Sequence, residues 1–74
     1  MSETKRYAVQ EILAECRTIA EKMTTTNAVH LINKASVTVA VRDHFPWIRY
    51  DTDLMLITGM LAGSLSMQGW DIID

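Results

Sequence analysis

The sequence predicts an all-α fold, a small three-helix chain whose working form is a homodimer or higher homo-oligomer. Three observations lead there. Apolar residues from Val9 to Met23 recur at spacings of three and four, the period of a helix with one buried face. The stretch from Leu54 through Trp70 carries no charge, which suits a helix enclosed on most sides. The chain has 74 residues and is 49% hydrophobic, and a domain of this length buries only roughly 60 to 65% of its unfolded surface, so association is a natural source of added stability. Residues 1–74 read as one domain.

The first helix is expected from about Ser2 to Met23. Val9, Ile12, Leu13, Cys16, Ile19, Ala20 and Met23 form its apolar stripe, while Glu11, Glu15, Arg17, Glu21 and Lys22 lie off it. Ser2 is the expected N-cap and Glu3 places negative charge in the first turn. Thr24, Thr25, Thr26 and Asn27 favour local side-chain to backbone hydrogen bonds and are expected to end the helix.

A second helix is expected from about Asn27 to Asp43. On it Ala28, Leu31, Ile32, Ala35 and Val39 share one face, and Val37 and Val41 form a patch on the other, where a partner chain would cover them. The alternative is an α+β fold with a hairpin at about 37–50, because Val37, Val39 and Val41 alternate with Thr38, Ala40 and Arg42. Phe45-Pro46 breaks the helix, since proline disfavours helical backbone in the residue before it.

The third helix is expected from about Asp51 to Met67, with Asp51 or Thr52 as cap. Gly59, Ala62, Gly63 and Ser66 give it a smooth ridge that a second helix can approach closely. Leu56, Gly59, Met60, Gly63 and Met67, together with Val37 and Val41, are the expected oligomer interface.

Composition narrows the function. A formal net charge of -2 and a pI near 5.5 give no strong pull toward nucleic acid or anionic membrane. Cys16 is the only cysteine, so no disulfide forms within the chain, and with His30 and His44 it matches no zinc pattern. No triad or phosphate-binding pattern links Cys16, His30, His44, Asp51 and Asp53, so no catalytic residue, metal or cofactor is expected. The start MSETKRYAVQEI, with no apolar run behind its basic residues, reads as a complete cytoplasmic protein of small phage type.

The segment HFPWIRY, His44 to Tyr50, concentrates aromatics and an arginine, the residue types most enriched at binding hot spots. The expected function is therefore a non-enzymatic regulator acting by protein-protein binding, of inhibitor, antirepressor or adaptor type. Phe45, Trp47, Arg49, Tyr50 and Trp70 are its expected contact residues. The partners are a second copy of the chain and another protein. One alternative is a helix-turn-helix DNA-binding regulator with TTTN as the turn and Asn33, Lys34, Thr38 and Arg42 as contacts. Another is a single-span membrane protein using the uncharged third segment, which is shorter than the roughly 20 apolar residues a span requires.

Overall fold

The computed structural model describes residues 8–74. Three helices, α1 (Val9–Thr26), α2 (Lys34–His44) and α3 (Asp51–Met67), are joined by two three-residue strands, β1 (Leu31–Asn33) and β2 (Asp71–Ile73). The strands pair in parallel, with Ile32 opposite Ile72. The architecture is mostly helical, as the periodicity predicts, with a small sheet that it does not.

The stripe on α1 works as expected in its centre: Ile12, Cys16, Ile19 and Ala20 are buried. Val9, at the end of the stripe, remains 61% exposed. Ala8, at the N-cap, is already extended, and the proposed Ser2 cap lies outside the described residues. At the other end α1 continues to Thr26, three residues beyond the expected stop. The threonines support the helix here: Thr24 donates to the Ala20 carbonyl at 2.7 Å, and Thr25 and Thr26 both donate to that of Lys22. Asn27 closes the helix, with its backbone N–H and its side-chain amide both donating to the Met23 carbonyl.

The second helix begins seven residues later than expected. Asn33 is its N-cap, and its Oδ1 accepts from the Ser36 N–H at 2.8 Å. Residues before it are extended, so the face counted from Ala28 through Val39 does not exist. In the helix that does form, Val37 and Val41 lie four apart, and both are fully buried in the chain's own core. This corrects their assignment to an outward oligomer patch; Val39, placed on the opposite face with Ala28, Leu31, Ile32 and Ala35, is 56% exposed. Helix from Lys34 to His44 also replaces the first half of the hairpin expected at about 37–50. The TTTN turn of the DNA-binding alternative is likewise absent, because Thr24 to Thr26 belong to α1 and seven residues separate it from α2.

Helix α3 spans the expected residues. Tyr50 occupies the N-cap position without a side-chain capping bond, while Asp51 and Asp53 in the first turn complement the helix dipole. Leu54, Ile57, Leu61, Ser64 and Leu65 face inward. The helix ends in a Schellman arrangement: Trp70 N–H donates to the Leu65 carbonyl and Gly69 N–H to that of Ser66, each at 3.0 Å. Gly69 takes φ +91°, where a side chain would be strained.

The turn aims Trp70 into the core, where it is 6% exposed. Its indole N–H donates to the Thr24 hydroxyl at 2.8 Å, and the His30 ring lies against it at 5.1 Å. The chain then leaves along β1, with Asp71 N–H donating to the His30 carbonyl at 2.9 Å. Trp70 is thus committed to the interior and gives no contact surface. Among the described residues no helix is long and apolar enough to cross a membrane.

Candidate protein-binding surface

The corner between α2 and α3 divides HFPWIRY into an inner and an outer half. Phe45 caps the C-terminus of α2, with its N–H donating to the Val41 carbonyl at 2.8 Å, and its ring enters the core at 4% exposure. Pro46 prevents α2 from continuing, and the Ile48 N–H closes a turn onto the Phe45 carbonyl at 3.2 Å. That turn brings Ile48 back against the core. It leaves Trp47 at 36% and Tyr50 at 68% exposure, with Arg49 outward.

Two hollows flank the corner. One, of about 290 Å³, is bounded by Phe45, Pro46, Ile48 and Leu54 as apolar walls, with Arg42, Arg49, Tyr50 and Asp51 around them. Among the described residues neither guanidinium has a carboxylate within ion-pairing distance; the ion pair described is Lys34 with Asp74, at 3.8 Å and well exposed. The other hollow, of about 210 Å³, lies between Trp47, Phe45 and His44 on one side and Ile12, Glu11 and Glu15 of α1 on the other. Trp47 meets Phe45 edge to face, with centroids 5.9 Å apart, an arrangement that holds the indole at the boundary between core and surface. The corner therefore presents an exposed tyrosine and two arginines that have no carboxylate partner among the described residues on one side, and an indole beside two glutamates on the other.

Of the residues expected to make contact, the structure brings Trp47, Arg49 and Tyr50 together at the surface. It buries Phe45 beneath them and places Trp70 in the core. Sequence reasoning missed Arg42, Ile48 and Leu54 as walls of the cleft. The signal for Arg42 was its place in the last turn of α2, next to the break at Pro46.

A second surface runs along the outer side of α3. Leu56, Gly59, Gly63 and Met67 are all exposed and Met60 is half-buried, so these expected interface residues do share the solvent side of the helix. Met55, which was not expected, joins them at 72% exposure.

The chemistry-bearing residues stay apart. Cys16 is fully buried in α1, and burial first, then the neighbouring Glu15 carboxylate, pushes its thiol up from 9.0 to about 11. At neutral pH it is a small protonated hydrophobe. His30 is held by the Thr24 and Asn27 carbonyls, and His44 Nδ1 lies 2.9 Å from the Ala40 carbonyl. Among the described residues no group of three His, Cys, Asp or Glu side chains is arranged to hold a metal ion. No protein-family model, curated protein or solved structure matches the chain.

Proposed function

We propose that the protein is a small non-enzymatic regulator that binds another protein through the corner between α2 and α3, in the manner of an inhibitor, antirepressor or adaptor. The observation that carries this reading is the outer half of HFPWIRY. Tyr50 is 68% exposed beside a cleft that joins Phe45, Ile48 and Leu54 to a polar rim holding Arg42 and Arg49. Tyrosine, tryptophan and arginine are the side chains that most often supply binding energy at interfaces, and exposing them over a cleft does nothing for the core. A second copy of the chain is the other partner in this proposal, met through Leu56, Gly59, Met60, Gly63 and Met67.

Affinity capture from the native host, run in parallel with the parent protein and Arg49→Ala, tests the corner. The expected result is a protein held by the parent and lost by the variant, at unchanged thermal stability. Equal capture by both, or no protein held by the parent, contradicts it.

A further inference from the structure

The outer face of α3 has an order that the chain's own packing does not use. From Met55 to Met67 the helix runs Met, Leu, Ile, Thr, Gly, Met, Leu, Ala, Gly, Ser, Leu, Ser, Met. About Leu61 four of the six flanking pairs match in kind: Met55 mirrors Met67, Gly59 mirrors Gly63, Thr58 mirrors Ser64 and Ile57 mirrors Leu65, while Leu56 faces Ser66 and Met60 faces Ala62. The buried half of the pattern serves the core. The exposed half is Met55, Gly59, Gly63 and Met67, four residues spaced by four along one ridge of the helix. Met55 is 72% and Met67 82% exposed, with Leu56 beside them at 59%. A Cβ added at Gly59 or Gly63 would meet no atom within 4 Å, so the middle of the ridge is open to close approach.

A two-fold axis brings the same patch of two copies together, so the patch must fit itself. We propose that this face pairs with a second copy of the chain in antiparallel orientation, about an axis passing over Leu61. Gly59 then lies opposite the partner's Gly63, and Met55 opposite the partner's Met67. The glycines let the two backbones approach, and the methionines close over each end of the contact with flexible side chains. Charge is compatible with this occupant: no residue from Leu54 through Trp70 is charged, so two copies meet along the strip without like-charge repulsion, and a charged foreign surface gains no ion pair there. Antiparallel helices also set their dipoles in opposition.

Area sets the strength. Covering three large apolar side chains on each copy removes on the order of 600 Å² from water at roughly 100 Å² apiece. A standard stable interface buries about 1,200 to 2,000 Å². The pairing therefore falls in the weak, transient class and depends on protein concentration. This inference rests on the self-association part of the proposal above and fixes its geometry.

Cysteine pairing reads that geometry directly. Gly59→Cys and Gly63→Cys both fall on the open, solvent-facing side of α3, and buried Cys16 does not compete. In an antiparallel pair, residue 59 lies beside the partner's residue 63, while the two copies of residue 59 are offset by about 6 Å along the axis, too far for a disulfide once the separation between the helices is added. Mild oxidation at about 200 μM should give a covalent dimer several-fold faster from the mixed variants than from either alone, with circular dichroism confirming that both fold. Faster cross-linking of Gly59→Cys with itself would mean parallel pairing and overturn the antiparallel geometry while leaving self-association standing. A parent protein that remains monomeric by light scattering at that concentration would overturn both.

Discussion

The indole N–H of Trp70 donates to the hydroxyl of Thr24 across 2.8 Å of space and 46 residues of sequence. Thr24 passes the bond on, donating at 2.7 Å to the Ala20 carbonyl inside α1. A helix end that sequence reasoning assigned only a stopping role is thus the anchor for the far end of the chain. Thr24→Val keeps the shape but leaves the buried indole N–H unpaired, which costs about 1 to 2 kcal/mol. Chemical denaturation should show that loss, with a smaller one for Thr24→Ser.

Two glycines of the same segment should respond in opposite directions. Gly69→Ala forces a side chain onto a backbone at φ +91° and is expected to lower stability by about 1 kcal/mol or more. Gly59 sits in mid-helix with nothing near its missing Cβ. Gly59→Ala should therefore stabilise the monomer by roughly 0.5 to 1 kcal/mol through helix propensity. Melting curves at low protein concentration compare the two without a contribution from self-association.

Thr58 Oγ1 is buried without a hydrogen-bond partner among the described residues. Thr58→Val replaces that hydroxyl with a methyl of similar size and should raise stability by about 1 kcal/mol. In a domain this small that corresponds to a rise in Tm of roughly 4 to 8 °C, readable by circular dichroism.

Cys16 gives an alkaline signature. Its pKa is raised in the fold to about 11 from 9.0, so the native chain keeps a proton that the unfolded chain releases first. That contribution is complete below pH 9 and is lost as the pH rises from about 9 to 11. The parent's unfolding free energy should fall more steeply across this window than that of Cys16→Ala, and the native thiol should resist alkylation at pH 8.

Much of the helical content was legible because periodicity and proline chemistry are local. The Ile12–Ala20 stripe, the break at Phe45-Pro46 and the whole of α3 follow from residues within one or two turns of each other. The parallel pairing of Leu31–Asn33 with Asp71–Ile73 was not legible, since each strand is three residues long and its partner lies 40 residues away. Missing it displaced the start of α2 and left Val37 and Val41 assigned to an outward patch. The candidate surface was legible as a segment but not as a side. Only the turn at Pro46 shows that Phe45 and Ile48 go inward while Arg49 and Tyr50 stay out.

The central claim is that this corner joins a structural half to a binding half. Its most direct test measures thermal stability and retention of the captured partner together in Phe45→Ala and Tyr50→Ala. Phe45→Ala should lose about 3 to 5 kcal/mol, most of what a domain this size has. Tyr50→Ala should stay within about 0.5 kcal/mol of the parent and still release the partner. If Tyr50→Ala destabilises the fold as Phe45→Ala does, or keeps the partner with undiminished affinity, the corner is not the binding surface.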